Sequence, residues 1–501
     1  MNWMWSTQAA LWALCCCLLP VSQSAHILGV FVNVHRSQLL VHLAVARVLL
    51  QRGHQLTLVT SRELPAEWQR ENITHILVPW ELQLQSQQQF GANFILRMQS
   101  TLDALEQSGQ LLLQPGWLEF MQAQPAQRYE LLLLGYHFND HLLGVAAHFK
   151  CPVAIISTQQ PTGFVHSLMG NPEERWYVPQ PYDSRQRRGL EAWLFGLWEK
   201  SMELLARRVM QRIYSAHFGS SRYPSFEHIR QRVALALNNH HSLSEGPIAP
   251  LLPSMLDIGG ILLEQLPALE LSAHPKRPFI LFSLGTRYSW RSASGAALQQ
   301  IFVHVFAQFP NYDIYWTYDG NNGSAISAAY THIKLAKWWP QAQLLSLPHA
   351  RLFITHGGKG SLTEALYFGH TPVLGLPFNG EQRANLGKAQ AKGWALMFDK
   401  RQLTTDQLLC GMQRVLSERS FKQHIQTAAR IYKDRPLNAS QLTVYWLEYI
   451  LRYKGALQLS GTARELPLYE FYLLDVRLFI YSMLIILIFM LFWLDKRING
   501  A

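Results

Sequence analysis

The sequence predicts an α/β protein made of two doubly wound halves of similar construction, followed by one C-terminal helix fit to cross a membrane. Three observations carry this reading. Short apolar runs alternate with helical periods in both halves. Residues 352–368 join a buried strand to a helix through a glycine turn, and Leu478–Leu494 holds 17 residues without a charge, near the lower limit for a bilayer span. A length of 501 residues suits two or three domains, and 49% hydrophobic residues suffice for sizeable cores.

Taken in order, Leu11–Val21 is an apolar run containing Cys15, Cys16 and Cys17, followed by Ser22-Gln23-Ser24-Ala25. It reads as a secretory signal peptide over residues 1–25, cleaved after Ser24 or Ala25, although no Lys or Arg precedes it. Its removal leaves Cys151 and Cys410, enough for one bridge at most, so packing holds the fold. The first domain, residues 26–264, opens with strand Ile27–Val32 and helix Ser37–Gln51, stopped by Gly53. Strands follow at Gln55–Thr60, Glu130–Leu134 and Val153–Thr158. From Thr158 to about Ser254 the pattern loosens into aromatic-, Pro- and Arg-rich sequence, expected as variable helices and loops. Pro267, Pro275 and Pro278 mark a linker over Gln265–Pro278.

The second domain, residues 279–468, starts with strand Phe279–Ser283 and alternates helices and strands through Asp313–Thr317, Lys334–Lys337, Leu352–Thr355 and Pro372–Gly375. The span 478–494 comes next, bracketed by Tyr469, Phe471, Tyr472 and Trp493 as an interface belt would be. Arg477 precedes it, and Asp495-Lys496-Arg497 begins a short tail, residues 495–501, on the expected cytosolic side. With the signal peptide, this describes a single-pass protein whose bulk is luminal. Asn72, Asn322 and Asn438 match the N-glycosylation pattern of that compartment.

The chemistry concentrates between Phe353 and Asn385. Strand Leu352–Thr355 runs into His356-Gly357-Gly358, and Ser361-Leu362-Thr363-Glu364 matches a capping box opening a helix over Leu362–Phe368. Glycines feeding a helix N-terminus leave backbone N–H groups and the positive end of the helix dipole facing whatever lies above the sheet, which favours phosphate. A glycine turn before a capped helix also occurs as plain structure in any α/β protein. Company distinguishes the two: Trp338-Trp339-Pro340-Gln341 stands upstream, Pro377-Phe378-Asn379-Gly380-Glu381-Gln382 downstream, and Phe282-Ser283-Leu284-Gly285-Thr286 earlier.

Together these segments resemble the signature of the UDP-dependent glycosyltransferases that include the UDP-glucuronosyltransferases. The likeness is to the membrane-anchored animal type, nearest the insect UDP-glycosyltransferases, and runs from about Ile27 to the C-terminal anchor. It implies the GT-B arrangement, two Rossmann-like domains facing across a cleft, with donor on the second and acceptor on the first. It implies that Trp338 stacks on uracil, Gln341 bonds the uridine, and His356, Gly358, Ser361, Ser283 and Thr286 meet the diphosphate. Glu364 would accept from the ribose hydroxyls, and Glu381 and Gln382 would hold the sugar. A flat π face suits a nucleobase, and a carboxylate suits paired hydroxyl donors. Position 360 is Gly where many relatives carry Asn, and position 381 is Glu where many animal relatives carry Asp.

The same resemblance implies inverting transfer of a hexosyl group from a UDP-sugar to a small lipophilic acceptor, without metal or resident cofactor, in detoxification at the endoplasmic reticulum membrane. Homo- or hetero-oligomers are compatible with it. The formal charge of +11 is spread without a dense basic block, so nucleic acid is not an expected partner, whereas an anionic nucleotide-sugar or membrane face is.

Acid–base assistance is the open point. The family's base is a His soon after the first strand, oriented by a carboxylate. Counting back without gaps from Arg52-Gly53-His54 puts Gln38 there, and Gln is no base. His35, three residues earlier, is the candidate replacement; His42, one turn on, is expected to pack against the sheet or face water. The orienting acid corresponds to Gly135 or to Asp140, which is otherwise an N-cap for a helix near His141. Two functions therefore stand at this point: an active transferase, or a catalytically impaired nucleotide-sugar-binding relative acting by binding or partnership.

Overall fold

The structure, a computed structural model, describes residues 24–32, 35–80, 94–123, 129–172, 178–180, 183, 187, 189–219, 221–266, 275–285, 288–464, 466–471 and 473–499. The expected signal peptide therefore lies outside the described residues except at its end, as do most of the expected linker and Thr286.

In the first domain seven strands pair in parallel: β1 (His26–Phe31), β2 (Gln55–Thr60), β3 (Thr74–Leu77), β4 (Leu131–Tyr136), β5 (Val153–Ser157), β6 (Val233–Asn238) and β7 (Met255–Asp257), in the order β3-β2-β1-β4-β5-β6-β7. The central strands are buried on both faces, as the unbroken run Leu131–Leu134 requires. Each such side chain contributes roughly 1.5–3 kcal/mol on leaving water. One core fills each face, and helix α1 (Arg36–Gln51) supplies Leu39, Leu43 and Val45 to one of them.

The second sheet repeats the plan with β8 (Phe279–Ser283), β9 (Asp313–Thr317), β10 (Ile333–Ala336), β11 (Ala350–Thr355), β12 (Val373–Gly375) and β13 (Ala395–Met397), ordered β10-β9-β8-β11-β12-β13. In both sheets the chain starts centrally, winds to one edge and returns to the other side. The order thus reverses between β1 and β4 and between β8 and β11, and each reversal opens a crevice at the strand carboxyl ends.

Two sequence expectations need correction. The stretch from Thr158 to Ser254, read as variable helices and loops, contains the 30-residue helix α2 (Gly189–Phe218) but also the sheet strand β6. The helix α6 (Ala439–Arg452), grouped by sequence with the second domain, packs on the first: Ala439, Leu447 and Ile450 sit in the core beside α1. Glu264 fixes its start by accepting from the Ala439 and Ser440 N–H groups, each at 2.9 Å. Asn438 caps the same helix by accepting from the Gln441 N–H at 2.8 Å. The chain then continues to Arg464, whose guanidinium donates to the Leu168, Arg230 and Val233 carbonyls of the first domain. In helix α7 (Leu474–Asn499) the stretch Leu474–Ile498 is long and apolar enough to cross a membrane, with an 18-residue window of mean hydropathy 2.4, none of it buried. Cys151 is buried and Cys410 exposed, and both are free.

Candidate active site

The reversal between β8 and β11 assembles one half of the site. Thr355 ends β11, and His356 follows with its ring between two glycines: a Cβ on Gly285 would lie 2.6 Å from it, and one on Gly358 2.5 Å. Gly285 (φ +78°) and Gly357 (φ +83°) both need the left-handed region, and at Gly357 a side chain would also meet Leu386. The Thr355 hydroxyl lies 3.3 Å from His356 Nδ1. Burial lowers His356 to about 4, so the ring is neutral at physiological pH and has one N–H to donate.

The expected capping box is corrected here. Helix α4 (Lys359–Phe368) begins three residues before the predicted start, with Gly358 as an N-cap that has no side chain to satisfy the first N–H groups. Ser361 and Glu364 are engaged otherwise: the Gln341 side-chain amide donates to Ser361 Oγ at 3.0 Å and to Glu364 Oε2 at 2.6 Å. Desolvation raises Glu364 to about 7, with the Gln341 bond opposing in part. Trp339 is structural, donating its indole N–H to the Trp316 carbonyl. Trp338 is instead 56% exposed, and the Arg36 guanidinium of the first domain lies 5.1 Å from its ring centre. Ser283 Oγ accepts from the Gly285 N–H at 3.4 Å. Asn379 caps helix α5 (Gly380–Ala391), and Gln382 Oε1 accepts from the Phe378 N–H at 2.7 Å, which fixes the turn carrying Glu381.

The reversal between β1 and β4 is furnished differently. Gln38 Oε1 accepts from the His35 N–H at 3.0 Å, and its Nε2 donates to Thr158 Oγ1 at 3.4 Å, so the carboxamide caps α1 and ties it to the end of β5. Asp140 neither caps a helix nor faces position 38. It is fully buried, accepting from the Tyr136 hydroxyl at 2.9 Å and from Arg230 Nε at 2.7 Å, while Asn139 takes the cap position. The Arg230 partner, 90 residues away, makes it a core ion pair. At Gly135 a Cβ would lie 2.7 Å from the His42 ring, so His42 occupies the space of a side chain there. His42 packs on Phe31 and is lowered to about 3 by burial. His35 is exposed at the start of α1. His137, which the sequence reading passed over, is an exposed residue just beyond β4, where the surrounding protein and nearby His35 both press its pKa down.

Between the halves lies a pocket that opens to solvent. Gln159, Gln160, His240 and Glu245 line it from the first domain, and Lys359, Glu381 and Lys388 from the second. Lys359 forms an ion pair with Glu245 across the pocket. Lys359 was visible between Gly358 and Gly360, where a cation beside an anion-binding turn was the available signal. Among the described residues no group of three or more His, Cys, Asp or Glu side chains is placed to hold a metal ion.

A sequence-family model described as "UDP-glucoronosyl and UDP-glucosyl transferase" matches residues 193–496. The chain is 28% identical over 384 residues to "UDP-glycosyltransferase UGT5" of Dactylopius coccus, covering 73% of this chain and 70% of that one. It is 25% identical over 511 residues to "UDP-glucuronosyltransferase 1A1" of Rattus norvegicus, covering 96% and 92%. Among solved structures, glycosyltransferase VinC in complex with dTDP superposes with a TM-score of 0.58 at 17% identity, covering 85% of this chain and 100% of that one. The calicheamicin glycosyltransferase CalG4 gives 0.55 at 15%, covering 86% and 99%. These likenesses establish the GT-B fold expected from the sequence.

Proposed function

The chain belongs to the family of UDP-glucuronosyl and UDP-glucosyl transferases, and from that premise we propose that it transfers the hexosyl group of a UDP-sugar to a small lipophilic acceptor with inversion at the anomeric carbon. One observation carries the reading: a glycine-capped helix N-terminus, a neutral half-buried imidazole, the Gln341–Glu364 pair and an exposed tryptophan converge at the carboxyl edge of the second sheet.

Each group has a physical task. Trp338 exchanges Arg36 for the uracil, and Glu364 exchanges the Gln341 amide for ribose hydroxyls, with Gln341 remaining on the uridine side. The α4 N-terminus and His356, with Ser283, Ser361 and Thr286, hold the diphosphate and stabilise the charge of the departing UDP. Glu381 and Gln382 hold the sugar hydroxyls. The acceptor lies against the first domain, and its oxygen or nitrogen attacks the anomeric carbon from the face opposite UDP.

A second reading, a donor-binding relative with impaired chemistry, is favoured by one arrangement: Gln38 is committed to a cap and a tether, and His42 fills the space over Gly135. UDP release by the purified protein, given UDP-glucose or UDP-glucuronate and a panel of phenols and lipophilic alcohols, separates the two. Acceptor-dependent release supports the transferase. Donor binding without release supports the second reading.

We place the body in the lumen of the endoplasmic reticulum, anchored by α7. A chain ending at Tyr469 is then expected to leave the membrane. Continued resistance of that product to carbonate extraction would show a second membrane-binding surface.

A further inference from the structure

Between α6 and α7 the chain crosses one particular side of the first domain, the amino edge of its sheet, opposite the crevice. Glu448 accepts from Arg52 Nε at 3.0 Å, just before β2. A Cβ on Gly455 would lie 3.4 Å from Pro152, the residue before β5, and Arg464 donates to the Val233 carbonyl at the start of β6. From Arg464 to Leu474, where α7 begins, the chain spans at most about 36 Å, so the bilayer that receives α7 lies close to this edge.

Across the edge the backbone accepts strain. Lys454, Gly455 and Ala456 all take positive φ, at +47°, +103° and +47°, and two of the three carry a Cβ that disfavours it. The turn is fixed from inside, because Ala456 belongs to the core beside α1 and the Gly455 N–H donates to the Ile450 carbonyl at 2.9 Å. What it turns outward is Tyr453, 56% exposed, and Leu457, 74% exposed, with exposed Lys454 between them. Tyr445 and Tyr449 extend the patch back along α6, the Tyr449 and Tyr453 ring centres 4.6 Å apart, and exposed Leu466 and Tyr469 carry it forward to α7. Scattered singly, such residues need no explanation. Gathered beside a span, they have the composition of a headgroup interface, where a tyrosine keeps its ring apolar-side and its hydroxyl wet, and a lysine reaches phosphate over an apolar surface.

Resting on the reading of α7 as the anchor, we infer that the amino edge of the first sheet is a docking face for the bilayer that α7 enters, with Tyr453 and Leu457 at headgroup level and Lys454 against lipid phosphate. The crevice, at the opposite edge, then opens away from the membrane. The face is small and acts only while α7 holds it at the surface, in keeping with release of a chain ending at Tyr469.

The test is fluorescence quenching of the full-length protein in nanodiscs of phosphatidylcholine and phosphatidylserine, with one environment-sensitive thiol label on each copy. Cys410→Ser removes the exposed native thiol. Leu457→Cys, Ser417→Cys at the end of a second-domain helix, and Ser482→Cys within α7 are then added one at a time. A headgroup nitroxide should quench the label at 457 at least about twofold more than the label at 417, because an interfacial side chain enters the headgroup boundary. An acyl-chain nitroxide should quench the label at 482. Tyr453→Asp should bring quenching at 457 down to the level at 417, with the signal at 482 and the thermal unfolding midpoint unchanged, and Tyr453→Trp should preserve it.

Equal headgroup quenching at 457 and 417, with 482 quenched, overturns the inference and leaves the anchor standing. An unquenched label at 482 overturns the anchor reading and this inference with it. A label at 457 that ignores the nitroxide lipids but self-quenches when two copies share a disc assigns the face to a second copy of the chain, which also overturns it.

Discussion

The two sheets are wound alike, yet their reversal points differ in chemistry. At β8/β11 the Glu364 carboxylate is held by the Gln341 amide, a partner that a ligand can replace, and Trp338 is exposed. At β1/β4 the corresponding positions are closed off: Gln38 is spent on the α1 cap and on Thr158, Asp140 on Arg230, and the space over Gly135 on His42. The fold supplies two crevices, but side-chain commitments decide which can do acid–base work. On the proposed reading, donor recognition belongs to the second domain, and any limit on the rate of transfer belongs to the first.

The largest expected effect comes from restoring a base. General-base assistance is worth about 10²–10⁴-fold, so Gln38→His should raise acceptor-dependent UDP release by up to that range while UDP affinity stays unchanged. If the wild type is already fast and His35→Ala or His137→Ala abolishes turnover, the base has moved to another imidazole of this edge and the contrast between the crevices disappears.

The second crevice comparison concerns packing. Placing a carboxylate at the end of β4 by Gly135→Asp drives its Cβ into the His42 ring, an overpacking expected to cost about 1–3 kcal/mol. Thermal unfolding should show the loss and its relief when His42→Ala is added. A variant as stable as the wild type would mean that His42 yields readily and that Gly135 is not closed off.

A smaller effect separates the protonation states of the donor half. Glu364 has its pKa raised to about 7, and ribose hydroxyls bond its charged form, so UDP binding releases a proton below pH 7. UDP affinity should therefore rise with pH and level off above 7, by about tenfold for each unit by which ribose lowers that pKa. The difference between wild type and Glu364→Gln isolates this contribution, because His356, already neutral above about 4, does not titrate in the window. A pH profile identical in the two proteins would remove Glu364 from the ribose site.

Legibility in the sequence followed locality. The strand, glycine turn and helix of the candidate site were readable because they follow one another between Phe353 and Gln382. The fate of Asp140 was not readable, since it is set by Arg230 from 90 residues away. Helix α2 hid because its first turns are inverted: Leu190, Trp193, Leu194 and Leu197 are exposed, whereas Glu199 and Glu203 are buried, so no ordinary amphipathic period marks it. For α6 the cap formed by Asn438 and Gln441 is local, but its docking on α1 rests on contacts made with a distant part of the chain. The start of α4 was misplaced because Ser361 imitates a cap while the true N-cap, Gly358, has no side chain to announce itself.

The central claim is that the second domain binds UDP through the α4 N-terminus and His356, whatever the first domain can or cannot catalyse. Calorimetric titration of UDP into the wild type, Gln38→His and His356→Ala tests it most directly. The account predicts equal affinity in the first two and a loss of about 1–3 kcal/mol in the third, the scale of one hydrogen bond to a charged group. Undiminished UDP affinity in a folded His356→Ala protein would contradict it.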